Sequence, residues 1–418
     1  MKVLLIDVNC KNSSTGKIVY DLYQNINTNG NEAAVCYGRG DKINEKGIFK
    51  FGIDMETLAH ALMTRITGYT GCYSFFSSIR LKNFIKKFKP DIVHIHEMHA
   101  YFLNIKPLLS YLRKKEIKTV FTMHCDFMFT GKCGCAYECE KWKDGCGKCP
   151  RIKEYPKSLF FDRTAEMYKA KKKLFIGWKD IEIVFPSKWL LNRAEQSFFK
   201  ENIFHVIHNG IDENIFYPRE SASLRKKLGL TQDEKIVLAL APNLMSENKG
   251  GKIVLDLAKT LIGEKIKFIL IGVDDGLNVD APNVIVHGKI NDKDLLAQYY
   301  SLADVFLICS KQETFPTTCL EAQCCGTRIV GFDVGGTKET AIENMGNMFV
   351  PYGDVTQLKQ ALLSTLSQDA KVYSTLAEKA QNEYCRKNMT KKYGELYKKI
   401  MEEKNIENTI YCKFAVSL

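Results

Sequence analysis

The stretch from residue 304 to residue 339 constrains the fold more than any other part of the chain. An apolar run over residues 304–309 stops at Ser310, as a buried parallel strand does at its carboxyl end. Pro316 suits a first helical turn, so we expect a helix over residues 318–325, ended by Gly326. A second apolar strand is expected over residues 328–332. The stretch therefore predicts a strand, helix and strand of a parallel α/β sheet.

Two glutamates flank the start of this helix. Glu313 lies on the loop before it and Glu321 about one turn inside it, so both carboxylates can face one cleft. The backbone amides of Thr317 and Thr318 would point their partial positive charge into the same cleft, where a phosphate could bind. The alternative is two solvated carboxylates, since acidic residues are favoured near any helix start.

This pattern resembles the donor-site signature of retaining glycosyltransferases with the GT-B fold, which have two Rossmann-like domains facing across a cleft. Glu313 and Glu321 carry the resemblance, together with Ala322, Gly326 and the Gly335-Gly336 loop. The resemblance implies that Glu313 meets the hydroxyls of the donor sugar and that Glu321 holds the ribose of the nucleotide. It extends over nearly the whole chain.

The length of 418 residues suits two domains of about 200 residues each. We expect an N-terminal, acceptor-side Rossmann-like domain over residues 1–215 and a nucleotide-sugar-binding domain over residues 216–385. A hinge is expected at residues 208–212, where the turn matches one that often closes the first domain in the family. Residues 386–418 are expected to form a helix that crosses back to the first domain, followed by a tail from residue 404.

Two positions in the first half are candidates for the site. Gly16 ends a turn of small residues before a predicted helix over residues 17–28, and the resemblance places a cleft-lining glycine loop there. It also places a histidine beside the reacting sugar, at the end of the strand over residues 118–123, and this residue is His124. The aspartate that usually follows is Cys125 here, with Asp126 one step later.

Three histidines, His94, His96 and His99, follow or end another predicted strand. They could form a metal triad, but alternation places His94 and His96 on one side of the strand, where packing can bury both. We favour structural or acceptor-side roles for them.

The second half contributes a lysine. Lys249 precedes a predicted helix over residues 253–261 and can reach a diphosphate as a flexible point charge. The resembling family usually has an arginine five or six residues earlier, and the nearest match here is Asn243. The edge around Ile290 is the expected position of the nucleotide base.

A cysteine-rich insert occupies residues 130–156. It has too few aliphatic residues to form a core of its own, so something must tie it down. Cys133, Cys139, Cys146 and Cys149 can supply four thiolates to a structural zinc ion, with Cys135 as a substitute. Disulfides and free thiols are the alternatives. The insert also resembles that of a bacterial capsular and exopolysaccharide subgroup of the family, and is expected to shape the acceptor side.

A basic amphipathic helix is expected over residues 74–88, with Phe75, Ile79, Phe84, Ile85 and Phe88 among lysines and an arginine. Its apolar residues either pack on the sheet or also touch an anionic membrane that carries a lipid-linked acceptor. The net charge of +12 indicates an anionic partner. Nucleic acid is the least favoured, because no zinc finger or RNA-recognition motif is present.

The expected reaction is transfer of a sugar, with retention, from a nucleotide-diphosphate sugar to a saccharide acceptor in surface polysaccharide synthesis, and a lipid-linked acceptor is the favoured one. Glu313, His124 and Lys249 are the expected catalytic residues, and no catalytic metal is expected. The alternatives are a nucleotide-sugar 2-epimerase and a non-catalytic scaffold that binds nucleotide sugar and zinc. No apolar run approaches the ~18 residues that span a bilayer, so we expect a cytoplasmic protein, peripheral at most on the inner face of the membrane.

Overall fold

A computed structural model of the protein describes residues 1–274, 279–368 and 373–416. The chain divides into two compact units. The first contains residues 1–207 and 390–418, and the second contains residues 208–389. The functional domain boundaries drawn from the sequence, after residues 215 and 385, remain a proposal.

The first unit is built on a parallel sheet of seven strands in the order β3-β2-β1-β4-β5-β6-β7. These strands are β1 Lys2–Asp7, β2 Glu32–Tyr37, β3 Ile48–Lys50, β4 Ile92–Ile95, β5 Lys118–Thr122, β6 Ile181–Phe185 and β7 Ile203–Val206. The helices between them are α1 Ser14–Thr28, α2 Asp54–Thr67, α3 Phe75–Phe88, α4 Ile105–Lys114, α5 Thr164–Phe175 and α6 Lys188–Glu195, with a short 3-10 turn at Asp126–Met128. The order reverses between β1 and β4, and such switch points are where open α/β sheets bind ligands.

The second unit is built on a parallel sheet of six strands in the order β10-β9-β8-β11-β12-β13. The strands are β8 Lys235–Leu240, β9 Ile266–Ile271, β10 Val284–His287, β11 Val305–Ile308, β12 Arg328–Phe332 and β13 Met348–Val350. The helices are α7 Ala222–Lys227, α8 Gly251–Lys259, α9 Lys293–Leu302, α10 Thr317–Cys324, α11 Val355–Leu366 and α12 Tyr373–Tyr384, with a 3-10 turn at Lys338–Thr340. Here the order reverses between β8 and β11.

The strands of the second unit bury side chains on both faces of the sheet. Along β8, Ile236 and Leu238 belong to one apolar cluster, whereas Val237 and Ala239 belong to another. Because both faces are covered, these strands appear in the sequence as continuous apolar runs rather than as alternating ones. The predicted parallel α/β class is confirmed in both units.

The last helix, α13 Arg386–Val416, lies mainly in the first unit. Tyr397 is hydrogen-bonded to His94 on β4, with 2.6 Å between the tyrosine Oη and the histidine Nδ1. The predicted tail from residue 404 is wrong as far as residue 416, because the helix continues; residues 417–418 lie outside the described residues. No proline follows residue 386 to end the helix.

Two further local predictions need correction. The helix predicted over residues 17–28 begins at Ser14, so Gly16 lies in its first turn and not in a preceding turn. The Ser13 hydroxyl caps the helix by accepting from the Gly16 amide at 3.2 Å. The short elements β3 and α7 were not predicted.

Within the described residues, we find no helix with both the length and the apolar character needed to cross a bilayer.

Candidate active site

The loop between β8 and α8 positions Lys249 next to the end of β11. Gly250 has a φ of +69°, and a Cβ atom there would lie 2.1 Å from the carbonyl oxygen of Cys309. The Lys311 amide donates to the Asn248 carbonyl at 2.9 Å, which joins the loop to the residues that follow β11. Only glycine allows this close approach, so the loop around residue 250 is held at the carboxyl ends of β8 and β11.

Lys249 forms an ion pair with Glu313. The lysine Nζ lies 2.6 Å from Oε1 of the carboxylate, and the side chains keep 33% and 16% of their exposure. The backbone of Glu313 is fixed by the following glycine loop, because its carbonyl accepts from the Gly336 amide at 2.8 Å. A Cβ atom on Gly335, whose φ is +59°, would lie 1.9 Å from that carbonyl oxygen. The second half of the sequence motif therefore holds the first half in place.

Glu321 is held by a residue that sequence reasoning missed. The hydroxyl of Tyr300, on α9, donates to Oε2 of Glu321 at 2.9 Å. Tyr300 is fully buried, and burial raises the pKa of its phenol well above the usual value, so the hydroxyl stays a donor. The sequence contains no local signal for this contact, because 21 residues separate the partners.

Helix α10 begins beside both glutamates. Pro316 is its N-cap, and Thr317 and Thr318 are half-buried in its first turn. The thiol of Cys319 is buried, and burial raises its pKa. A hydrogen bond with Thr340 and the nearby charges of Glu313, Glu321 and Lys249 also affect this pKa. The three charged side chains thus surround the start of one helix.

Asn243 lies in the same β8–α8 loop as Lys249, and Ile290 lies between β10 and α9. Asn243 is exposed, and its carbonyl accepts from the Ser246 hydroxyl at 2.8 Å. Ile290 is half-buried against the apolar cluster on one face of the sheet. Among the described hydrogen bonds and ion pairs, neither residue shares one with Lys249, Glu313 or Glu321.

In the first unit, polar residues gather at the carboxyl ends of β1, β4 and β5. Asp7 ends β1 and is fully buried; burial and the neighbouring Glu97 raise its pKa to about 7. Its Oδ2 accepts from the Thr15 hydroxyl at 3.0 Å. An added Cβ on Gly16 would lie 3.3 Å from the backbone of Asn9, so the glycine lets this loop approach the helix. Asp7 was missed, although it interrupts the first apolar run.

His124 follows β5 and is half-buried. Burial lowers its pKa to about 4, so the ring is neutral near pH 7. Its Nε2 lies 3.2 Å from Nδ1 of His96. Asp126, the carboxylate nearest in sequence, is paired with Arg193 at 3.1 Å and accepts from the Ala136 amide. His94 and His96 are buried at the carboxyl end of β4, which is compatible with a structural role.

The cysteine-rich insert packs onto the core of the first unit. Trp142 is fully buried there, and Nζ of Lys132 donates to three backbone carbonyls, those of Ile152, Glu154 and Pro156. The packing of Trp142 attaches the insert to the core, and the Lys132 bonds hold two parts of the insert together. No disulfide joins the cysteines among the described residues.

The four predicted zinc ligands line one cavity of about 20 Å³. Cys133 and Cys149 are hydrogen-bonded to each other; this bond lowers the pKa of the Cys149 thiol to about 6 and raises that of Cys133. The Cys146 sulfur accepts from the Gly131 amide at 3.1 Å. Thiolates are suitable zinc ligands. Within the described residues, however, the side chains whose ligand atoms lie within 4.8 Å of one another are not these cysteines. They are Glu97, His99 and Cys125.

Two doubly wound parallel sheets, with a lysine–glutamate pair and a helix start at one switch point, define the class of GT-B glycosyltransferases. Residues 15–215 match the family model described as Glycosyltransferase Family 4, and residues 234–368 match the model described as Glycosyl transferases group 1. The two matches together span both units, so the chain consists of the two domains that these glycosyltransferase models describe.

Two relatives with similar sequences are distant in identity. The chain is 24% identical to a "putative colanic acid biosynthesis glycosyl transferase", WcaC of Escherichia coli K12, over 96% of this chain and 100% of that protein. It is also 24% identical to N-acetyl-alpha-D-glucosaminyl L-malate synthase of Bacillus anthracis, over 46% of this chain and 51% of that enzyme.

Solved structures confirm the fold. Sucrose-phosphate synthase of Thermosynechococcus elongatus superimposes with a TM-score of 0.70 at 18% identity, covering 96% of this chain and 99% of that one. Anabaena Alr3699/HepE, solved with UDP and glucose, superimposes with a TM-score of 0.63 at 15% identity, covering 96% and 100%. At such identities the likeness shows the fold alone.

Proposed function

We propose that the protein transfers a sugar, with retention of anomeric configuration, from a nucleoside-diphosphate sugar to a saccharide acceptor in the synthesis of a surface polysaccharide. The observation that carries the proposal is the Lys249–Glu313 pair beside the start of α10. HepE was solved in complex with UDP and glucose and with UDP-glucose, which supports a nucleotide-sugar donor. The name of WcaC supports a polysaccharide product.

The departing diphosphate carries negative charge while positive charge grows on the sugar, so the site must stabilise a developing anion. Lys249 and the amides of Thr317 and Thr318 are proposed to do so. Glu313 would then exchange its contact with Lys249 for the hydroxyls of the sugar, and Glu321, oriented by Tyr300, would hold the ribose. His124, neutral near pH 7, would contact the donor sugar as a hydrogen-bonding group and not as a cation.

The decisive experiment incubates the protein with radiolabelled nucleotide sugars and an extract of lipid-linked saccharides. Sugar moved to an acceptor supports the proposal, and the anomeric configuration of the product tests retention by NMR. Isomerised donor would indicate a 2-epimerase, and donor that is bound but unchanged would indicate a scaffold. Either result would contradict the proposed transfer.

Variants locate the site. Lys249→Ala and Glu313→Gln should each lower kcat/KM about 100-fold to 1,000-fold, the usual cost of losing one group that stabilises transition-state charge. Lys252→Ala and Glu343→Gln are matched controls, because both side chains are exposed in the same unit. Wild-type transfer by Lys249→Ala and Glu313→Gln would show that the site is assigned wrongly.

We further propose that the acceptor is lipid-linked and that the first unit touches an anionic membrane. Large apolar side chains are exposed on α2, on α3 and on the loop before α5: Met55, Leu58, Leu62, Phe75, Phe76, Ile79, Leu159, Phe160 and Phe161. The three segments adjoin, since the Phe76 amide donates to Glu56 on α2 and the Leu159 amide donates to the Arg65 carbonyl.

Helix α3 packs differently from the sequence-based expectation of one apolar face. Ser77, Leu81 and Ile85 are buried, whereas Phe75 and Ile79 point to solvent. Exposed aromatic residues on a basic helix suit insertion between lipid headgroups. The protein should therefore pellet with vesicles that contain anionic lipid, and a Phe76→Ser, Phe160→Ser variant should pellet less. Equal pelleting with neutral and anionic vesicles would refute the preference for anionic lipid, and pelleting with neither would refute the membrane contact.

Finally, we propose a structural zinc ion in the cavity lined by Cys133, Cys139, Cys146 and Cys149. Elemental analysis should find about one equivalent more zinc in the wild-type protein than in a Cys146→Ser, Cys149→Ser variant. Less than about half an equivalent in both aerobic and anaerobic preparations of the wild-type protein would contradict this site.

A further inference from the structure

A second metal site, separate from the cysteine-rich insert, is indicated by three residues at the carboxyl ends of neighbouring strands. Glu97 and His99 follow β4, and Cys125 follows β5. The two strands are paired in parallel, so the loops that follow them meet at one edge of the sheet. One ligand atom from each residue lies within 4.8 Å of the other two.

The separations fit a tetrahedral ion. Zinc binds nitrogen and oxygen at about 2.0–2.2 Å and sulfur at about 2.3 Å, which places neighbouring ligand atoms about 3.3–3.6 Å apart at tetrahedral angles. In the structure, Nε2 of His99 lies 3.4 Å from Oε2 of Glu97. Sγ of Cys125 lies 3.7 Å from each carboxylate oxygen. Small side-chain shifts would bring all three to an ion.

The surroundings favour a cation. Glu97 keeps 7% of its exposure and lies next to Asp7, which is fully buried; its amide donates to Oδ1 of Asp7 at 3.1 Å. Two buried carboxylates near each other are costly without positive charge between or beside them. The nearby ring of His96 is buried in the same region, and that of His124 is half-buried. A divalent ion would compensate the carboxylates.

The histidine is oriented as metal ligands usually are. Nδ1 of His99 lies 3.4 Å from the hydroxyl of Tyr155, and its ring packs edge-on against those of Phe127 and Tyr155. Donation from Nδ1 to the tyrosine would leave the lone pair of Nε2 directed at the carboxylate. An ion bound there removes the resulting repulsion, and such outer contacts commonly fix the tautomer of a ligating histidine.

We propose that Glu97, His99 and Cys125 bind a divalent transition-metal ion, with zinc the best match to one carboxylate, one imidazole and one thiolate. Three protein ligands leave a fourth position for water or another oxygen ligand. The proposal goes beyond the proposed sugar transfer and does not depend on it, because the ligands are outside the donor-binding residues of the second unit.

Cobalt is the probe, because a thiolate bound to Co²⁺ gives a charge-transfer absorption that histidine and carboxylate ligands lack. The experiment uses the full chain carrying Cys133→Ser, Cys139→Ser, Cys146→Ser and Cys149→Ser, which removes the four ligands of the other proposed site. Titrated with Co²⁺ under reducing, anaerobic conditions, this protein should bind about one equivalent and show the thiolate absorption, and Zn²⁺ should displace the cobalt.

Adding Cys125→Ser should abolish the absorption, and adding Glu97→Gln should weaken Co²⁺ binding about tenfold or more, since losing even an outer partner of a ligand costs that much. Cys72→Ser is the matched control: this thiol is half-buried like that of Cys125 but lies outside both proposed metal sites, and its replacement should leave the absorption unchanged. The Glu97→Gln result and the parent spectrum decide the matter if Cys125→Ser does not fold.

The proposal is overturned if the parent shows no thiolate absorption with excess Co²⁺, or if the absorption survives Cys125→Ser in a folded protein. Either result would leave a hydrogen bond from the Cys125 thiol to the Glu97 carboxylate as the whole explanation of the cluster. Sugar transfer is not measured in this experiment, so its outcome is independent of the proposed activity.

Discussion

Replacing Tyr397 by phenylalanine should destabilise the first unit by removing one buried hydrogen bond. His94 is fully buried; Tyr397 binds its Nδ1 at 2.6 Å and the Thr122 hydroxyl binds its Nε2 at 2.8 Å. Burial lowers the pKa of His94 well below its usual value, so the ring is neutral and needs one partner at each nitrogen. Phenylalanine retains the ring of Tyr397 and leaves Nδ1 without this partner.

The expected cost is about 1–3 kcal/mol, the penalty for a buried polar atom that loses its partner. Tyr393→Phe is the matched control. Its hydroxyl binds the Thr122 hydroxyl at 2.8 Å, but Thr122 keeps its contact with His94, so the expected loss is the smaller net value of about 0.5–1.5 kcal/mol. Both tyrosines lie on α13 and are fully buried.

Urea unfolding followed by tryptophan fluorescence measures this difference in the right place. The chain has three tryptophans, and all of them, Trp142, Trp178 and Trp189, lie in the first unit. The signal therefore reports the unfolding of that unit, and the midpoint and slope give its free energy of unfolding. A Tyr397→Phe protein as stable as wild type, or more stable than Tyr393→Phe, would refute the role assigned to this helix.

Three further predictions concern ligand binding by the second unit and the pH dependence of the stability of the first. Gly335→Ala should weaken binding of UDP, because its Cβ would lie 1.9 Å from the Glu313 carbonyl oxygen; unchanged affinity by calorimetry would contradict this. Tyr300→Phe removes the donor to Glu321 and should weaken nucleoside-diphosphate binding about tenfold, as loss of about 1.4 kcal/mol implies; equal dissociation constants would count against the ribose role. Burial lowers the pKa of His60 to about 4, so the folded state binds fewer protons than the unfolded state, whose histidine titrates near 6.5. The stability contributed by neutral His60 is present above about pH 6.5 and is lost as the pH falls toward 4; the loss is about 2 kcal/mol by pH 5. In urea titrations, a His60→Gln protein should therefore lose correspondingly less free energy of unfolding between pH 7 and pH 5.

The arrangement of Lys249, Glu313 and Glu321 in the second unit was predictable because these residues are close in sequence or follow strand ends. Glu313, Thr317 and Glu321 span one loop and one helix turn, so the strand end at Ile308 was enough to place them. Lys249 follows the other strand at the same switch point, and parallel strands bring their carboxyl ends to one edge. Local pattern and sheet direction together fix such an arrangement.

The supporting contacts were not predictable in the same way. Tyr300 reaches Glu321 across 21 positions, and Tyr397 reaches His94 across 303 positions. A tyrosine in an amphipathic helix has the same sequence signature whether its hydroxyl meets water or a buried partner. The exposed position of Phe75 and Ile79 on α3 has the same origin, because hydrophobic periodicity indicates an apolar stripe but does not choose which part of it the core covers.

The amino-acid sequence by itself determined the parallel α/β class, the order of the strands and helices along the chain apart from the short β3 and α7, and the residues that carry the donor-site motif. These follow from the period of apolar residues and from the breaks where polar residues begin, both of which are local. Only the tertiary structure decided that Glu97, His99 and Cys125 meet, and that Tyr397 on α13 meets His94. Those contacts join residues far apart in the chain, and their free energy depends on burial and geometry that exist only once the sheet has formed.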